Sequence, residues 1–327
     1  MDTTEVAVAG QIARSLVLDL ADLPPAGDSA TVRHRTETLG GKGANIAVAL
    51  SRLGAAVSLI GVVGDDCVAG AALHRAHTDG IDTTAVVRRP GHGTGLIVEL
   101  HTDGGRRHQM EHLSDGLLLT EADILAATPV LTSAASVILH ARQPVGAVLA
   151  AARTAKAARR RVVLEGVPGE QAPTTELLAL TDVLRLGQHD GELLTGRRLD
   201  SAEAAVLAGR DLLRRGPGLV ALAAGEDGNV FLWEDEHVIL PLAIRDPVHT
   251  TGGEDALVAA LAFALTRGAD PRKAAALAVA ASATTVFHPG GRPSVSPVAL
   301  GAHLVELSIP AQPSPPHHAE ADYTGSH

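Results

Sequence analysis

Asp255 stands where a carboxylate and a helix end could work together. In Asp246-Pro247-Val248-His249-Thr250-Thr251-Gly252-Gly253-Glu254-Asp255-Ala256 a turn with two glycines opens into an apolar run from Ala256 to Leu265. The pattern predicts a helix N-terminus, whose unpaired N–H groups and positive dipole end make an anion site. A carboxylate beside such a site can take a proton from an attacking hydroxyl. Joined, these are the parts that phosphoryl transfer needs. The same residues also suit an ordinary capped helix, with Thr250 or Thr251 as N-cap and Glu254 and Asp255 favouring the dipole.

A second stretch, Leu39-Gly40-Gly41-Lys42-Gly43-Ala44-Asn45, lies far upstream and leads into a helical run that closes at Gly54. Glycines admit a ligand to the backbone, and Asn45 offers both donor and acceptor. The chain has three lysines among its 27 basic residues, so a lysine in this glycine loop is conspicuous. It is no P-loop, because Gly43 follows the lysine where Ser or Thr is needed. Gly40 to Asn45 together with Gly61-Val62-Val63-Gly64-Asp65-Asp66 resembles the N-terminal signature of the ribokinase, or PfkB, family of sugar and nucleoside kinases. The turn from Thr250 to Asp255 resembles that family's C-terminal signature, and the likeness runs from about Val6 to about Leu307.

The resemblance implies roles. Gly40, Gly41, Lys42 and Asn45 would contact substrate hydroxyls, Gly252 and Gly253 would form an anion hole, and Asp255 would be the base. ATP would be the phosphoryl donor, beside Thr251 and the turn Gly225-Glu226-Asp227-Gly228, whose other reading is a plain hairpin turn. Mg²⁺ would bridge the phosphates. The family's Asn-x-x-Glu, which helps position metal-bound phosphates, falls on Gly187-Gln188-His189-Asp190, leaving Asp190 as a shortened acid.

Other departures share a direction. Ser15 stands where the family places an Asp for substrate hydroxyls, and a hydroxyl cannot give a charged bond. His249 replaces an acid that helps a monovalent-cation site, which puts that cofactor in doubt. Glu254 replaces a glycine of the anion hole; at an effective dielectric of about 20, two like charges about 4 Å apart repel by about 4 kcal/mol. Arg142 replaces a substrate-binding Glu and would favour an anionic or acyl group. An ATP-dependent kinase and a pseudokinase that binds without turnover are both open. A dehydrogenase is remote, since no Gly-x-Gly-x-x-Gly follows the first strand.

Composition narrows the partners. A net charge of −10 argues against nucleic acid or an anionic membrane as partner, and the basic run Arg159-Arg160-Arg161, expected at the polar end of a helix, is too short to change that. The hydrophobic content of 46% with 2% aromatic predicts a core of Ala, Val and Leu. One cysteine, Cys67, suits a reducing cytoplasm. Asp2 and Glu5 with no basic run speak against a secretory signal, and Ala256 to Leu265 is about half a membrane span.

The elements that must position these residues alternate. Strands are expected at Val6–Gly10, Val57–Val63, Ser136–Leu139, Arg161–Leu164, Val183–Leu186 and Leu219–Ala223, followed by a meander over Gly228–Trp233 and Val238–Leu242. Helices are expected at about Cys67–Asp79, Leu119–Thr128, Val145–Arg159, Thr175–Leu180, Gly191–Thr195, Ser201–Arg215 and from Asp270-Pro271 onward. This specifies an α/β fold, a mostly parallel central sheet with helices on both faces, ribokinase-like by resemblance. Segments 12–39 and 92–112, each patterned as strands, would form a small β lid over the substrate and could join two copies as a homodimer. One domain would span 1–308, with Thr284 to Pro293 resembling an adenine-pocket segment. Residues 309–327, rich in Pro and His and including His317-His318, would be a disordered tail.

Overall fold

In a computed structural model, which describes residues 5–168, 174–242, 252–286, 295 and 297–306, strand and helix alternate as expected. The chain runs through β1 (Val6–Ala9), β2 (Ala13–Leu20), β3 (His34–Gly40), α1 (Lys42–Arg52), β4 (Val57–Gly64), α2 (Cys67–Thr78), β5 (Ile81–Asp82), β6 (Val86–Arg89), β7 (Leu96–Thr102) and β8 (Arg107–His112). It continues through α3 (Glu121–Ala126), α4 (Thr128–Ser133), β9 (Ser136–His140), α5 (Val145–Ala157), β10 (Arg161–Glu165), α6 (Thr174–Ala179), β11 (Val183–Leu186), α7 (Gln188–Thr195), α8 (Ala202–Leu213) and β12 (Leu219–Ala223). The last elements are β13 (Asn229–Trp233), β14 (Glu236–Leu240), α9 (Gly253–Thr266), α10 (Pro271–Thr285) and α11 (Pro297–Glu306).

Among the described residues ten strands form one sheet, ordered β14-β13-β12-β11-β10-β9-β1-β4-β5, with β6 paired to β4. The pairings from β12 through β11, β10, β9, β1 and β4 to β5 are parallel, and β13 and β14 add an antiparallel edge. Apolar residues on both faces of these strands explain the two cores. Val6 and Val8 of β1 point into one with α1, α9 and α10, while Ala7 and Ala9 point into the other with α5 and α8. Chain order runs one way from β1 through β4 to β5 and the other way from β9 to β12, so β1 and β9 flank a topological switch point. Ligand crevices form there, outside the carboxyl ends of the strands.

The lid is a separate four-stranded sheet, ordered β3-β2-β7-β8. Its strands come from the two segments predicted for it. Period-two alternation sends Ser15, Ile97, Glu99, Arg107, Gln109 and Glu111 to one face, over the crevice. Lys42 begins α1 rather than lying in a loop, with Gly41 as N-cap at φ 89°. A Cβ on Gly43 would fall 2.6 Å from the backbone carbonyl carbon of Gly10, so the end of β1 and the start of α1 touch because both residues are glycine.

Three expectations need correction. The helix placed over Leu119–Thr128 is two helices, α3 and α4; Pro129, at the start of α4, has no N–H with which to continue a ladder from α3. Arg159 is not in a helix: it turns the chain at φ 59° after α5, and Arg161 already belongs to β10. The N-cap of α9 is Gly252 at φ 79°, not a threonine, and among the described residues no side chain caps that end. Thr250, Thr251 and His249, most of the adenine-pocket segment and the tail 309–327 lie outside the described residues. Among those described, no helix is long and apolar enough to cross a membrane.

Candidate active site

Four strand ends and two helix starts converge under the lid. Gln11 follows β1, His140 ends β9, Glu165 ends β10 and Arg185 lies near the end of β11; α1 brings Lys42 and Asn45, and α9 brings Glu254 and Asp255. A cavity of about 380 Å³ beneath the lid is walled by Gln11, Lys42, Asn45, His140, Glu254 and Asp255, while Glu165 and Arg185 do not line it and reach it through their contacts with Lys42 and Glu254. Gly40, Gly41, Lys42, Asn45, Arg142, Gly252 and Asp255, all singled out from the sequence, line it, as do Ser15 and Glu254.

Asp255 is buried in the first turn of α9. Asn45 Nδ2 donates to its Oδ2 at 2.8 Å, and Lys42 Nζ lies 3.7 Å from its Oδ1, which has no hydrogen-bond partner among the described residues. Burial pushes this carboxyl up to about 6, against the pull of Lys42 and the Asn45 hydrogen bond. A carboxyl so placed exchanges its proton nearer neutrality than an exposed aspartate does.

Lys42 is shared among three carboxylates. Its Nζ donates to Glu165 Oε1 at 3.2 Å and to Glu254 Oε2 at 3.3 Å, besides facing Asp255. Burial alone would lower the ammonium's pKa, but Asp255, Glu165 and Glu254 hold it above the usual lysine value. Glu165 is buried, which raises its carboxyl, yet Lys42, His140 and Arg185 bring it below the ordinary range. His140 Nε2 lies 3.4 Å from Glu165 Oε2, and burial lowers the imidazole to about 4, so this ring is neutral near pH 7.

Glu254 does not turn away from the helix end, as its repulsion of phosphate would have favoured. Arg185 Nη2 donates to its Oε1 at 3.2 Å, and Arg185, reinforced by Lys42, lowers the carboxyl to about 2. Gly253 owes its lack of a side chain to packing, since a Cβ there would fall 2.9 Å from Val286 Cγ1 on the α10 side. Arg142 sits at the rim, its side chain 64% exposed and 4.0 Å from Asp190. It reaches the cavity of Asp255 and a neighbouring one that Asp190 lines.

The residues expected to meet ATP are less gathered. Gly225 and Gly228 lie in the turn between β12 and β13, away from the walls of the Asp255 cavity. A Cβ on Gly228 would meet Leu240 O at 2.2 Å, so the hairpin itself demands that glycine. Asp190 lies on α7, and burial raises its carboxyl. Among the described residues no three His, Cys, Asp or Glu side chains gather to hold a metal. A Mg²⁺ that arrives on nucleotide phosphates needs only one or two protein carboxylates, which Asp190 fits.

Residues 3–298 match the model of the pfkB family of carbohydrate kinases. The chain belongs to this family. It is 33% identical to a 1-phosphofructokinase of Rhodobacter capsulatus over 257 residues, 74% of this chain and 78% of that protein. It is 28% identical over 257 residues to a bifunctional ribokinase/ribose-5-phosphate isomerase A of Fructilactobacillus sanfranciscensis. That match takes in 78% of this chain but 47% of the relative, so the chain spans about half of that relative's length. The structure of Arabidopsis thaliana ribokinase complexed with ribose and ATP superposes with a TM-score of 0.78 at 22% identity, covering 92% of this chain and 99% of that one. At that identity the likeness shows the fold, and it is the ribokinase-like one.

Sequence reasoning missed Glu165, His140 and Arg185, and on the lid Glu99, Arg107, Gln109 and Glu111. A signal existed for the first three. Each is a polar residue at or one step from the carboxyl end of an apolar parallel strand, Val-Ile-Leu-His140, Val-Val-Leu-Glu165 and Val-Leu-Arg185-Leu, where ligands bind. On the lid, Arg107, Gln109 and Glu111 alternate with period two along β8, a pattern open to inspection as well, and Glu99 lies on β7 opposite Gln109.

Proposed function

We propose that this pfkB-family chain transfers the γ-phosphoryl group of ATP to a hydroxyl of a sugar, nucleoside or related small alcohol, with Asp255 as general base. The observation that carries this reading is the state of Asp255: buried, raised to about 6, one oxygen held by Asn45 and the other, beside the cavity, without a hydrogen-bond partner among the described residues. Asp255 Oδ1 accepts the hydroxyl proton; the alcohol oxygen forms a bond to phosphorus as the bond to ADP breaks, and ADP leaves with that electron pair. Gly252 and Gly253 offer backbone N–H groups and the positive end of α9 to the charge on the phosphoryl oxygens. Gly40, Gly41, Lys42 and Asn45 hold the substrate's hydroxyls, and Arg142 at the rim selects a negative or carbonyl-bearing group. Thr251, Gly225 and Gly228 would border the nucleotide, and Asp190 would hold a Mg²⁺ that neutralises phosphate charge. The names of the relatives, ribokinase and phosphofructokinase, support a sugar hydroxyl as acceptor.

A second reading, a binding protein without turnover, draws on one observation: the Glu254 carboxylate lies at the helix end that must receive phosphoryl charge. ATP consumption against a panel of sugars, sugar phosphates and nucleosides separates the two. Turnover with at least one acceptor, lost in Asp255→Asn, is the expected result; no turnover on a broad panel despite nucleotide or sugar binding would leave the second reading standing. For Arg142→Glu we expect the preference among acceptors to move from anionic toward neutral ones, and an unchanged ranking would remove Arg142 from the specificity determinants.

Two further points belong to this reading. A single, exposed Cys67 supports a reducing cytoplasm as the compartment. The free edge strand β8, exposed along its whole length with Met110 half exposed, supports pairing of two lids in a homodimer.

A further inference from the structure

We propose that Arg185 is an anion-binding residue of this site: with Lys42 it forms a two-cation seat for the phosphoryl group, and Glu254 fills that seat until a phosphate displaces it. The proposal rests on the kinase reading for the identity of the anion, and on the geometry for the seat.

Arg185 needs an explanation that folding does not give. It lies in β11 among Val183, Leu184 and Leu186, all core residues, and its side chain is 4% exposed. Removing a guanidinium from water is costly, and an apolar residue would serve a parallel strand as well. Its nearer partner is Glu254, at 3.2 Å, while Glu165 is 3.9 Å away. Glu254 in turn bridges the two cations, with Lys42 Nζ at 3.3 Å, and its side chain is 49% exposed.

The members of this cluster therefore differ in freedom. Glu254 can swing to solvent without leaving a hole in the core, whereas Arg185 is fixed by the strand. Gly187 keeps the position roomy: a Cβ there would fall 3.0 Å from Glu254 Oε1 and 3.6 Å from Arg185 Nη1. Carboxylate and phosphate oxygens are recognised by the same charged donors, and arginine presents two of them in a fixed fork. When Glu254 swings out, its place between Lys42 and Arg185 is an anion seat at the start of α9. Lys42, which borders that seat, also lies 3.7 Å from the base Asp255. The seat and the proton acceptor thus share one lysine, as transfer to a hydroxyl held between them requires.

A simpler role for Arg185, to neutralise Glu254 and nothing else, makes the opposite prediction once Glu254 is uncharged. The experiment measures binding of tripolyphosphate to the full chain by calorimetry, for wild type, Glu254→Gln, Glu254→Gln/Arg185→Gln and Glu254→Gln/Arg185→Lys, with circular dichroism to confirm folding. We expect Glu254→Gln to bind about tenfold or more tightly than wild type, and the added Arg185→Gln to abolish that gain, as the loss of a charged hydrogen bond should. Arg185→Lys, which keeps the charge and protects folding, should retain only part of the gain, because the fork is gone. If Arg185→Gln, or Arg185→Lys where the glutamine variant does not fold, leaves tripolyphosphate affinity in the Glu254→Gln background unchanged, the seat is refuted. An absent gain in Glu254→Gln refutes it equally. Turnover is scored separately: tripolyphosphate binding as expected without ATP consumption keeps the seat and removes the kinase, and Asp255-dependent turnover with Arg185 indifferent does the reverse.

Discussion

Asp255 carries a pH signature that follows from its burial. Its carboxyl stands at about 6 against an ordinary 3.8, so the base is ionised only above that value. We expect kcat/KM to rise with pH through about 6 and then level, and the Asp255→Asn variant to lose that limb together with roughly 10²–10⁴-fold in turnover. Stability moves the other way. Between the unfolded value of 3.8 and about 6 the folded chain binds the extra proton, so stability falls as pH rises across that window. Glu254, lowered to about 2 from 4.5, contributes stability that is present above 4.5 and lost as pH falls toward 2. His140, lowered to about 4 from 6.5, contributes the opposite slope over nearly the same range, so urea unfolding from pH 4 to 7 reads the Asp255 contribution as the difference between wild type and Asp255→Asn, the variant rising more steeply with pH. At this scale Asp255, Lys42 and Asn45 were legible because glycine spacing marked their surroundings. For Glu165 and Arg185 the strand-end position was a signal, but the partners that give it meaning lie scores of residues away.

At the scale of elements, the packing of α9 against α10 makes its own prediction. Gly253 faces Val286 Cγ1 at 2.9 Å and Ser282 Oγ at 3.1 Å from where a Cβ would stand. We expect Gly253→Ala to overpack this contact and cost about 1–3 kcal/mol, read as a lower urea midpoint with an unchanged slope. A variant as stable as wild type would mean that α10 yields at that point. The parallel strands were legible because each is an apolar run of strand length. The two-residue β5 and the four-residue β6 carry no such run, and pairing with β4 alone makes them strands. The division between α3 and α4 hung on Pro129, which lies just beyond the Thr128 end expected for a single helix.

For the whole molecule, the exposed edge of the lid is where the proposed homodimer can be tested. If two lids meet along β8, Met110→Lys should shift a dimer toward monomer in sedimentation at micromolar concentration, while an unchanged state would exclude that edge. The antiparallel edge of the main sheet has a consequence for how this protein can be watched. The chain's single tryptophan, Trp233, ends β13, opposite Leu219 and Glu236, and does not border the cavity of Asp255. Its emission will report when the sheet edge opens and will be nearly silent when the cavity fills. A ligand will therefore announce itself in fluorescence by moving the melting transition to higher temperature as its free concentration L rises, the stabilisation growing as RT ln(1 + L/Kd).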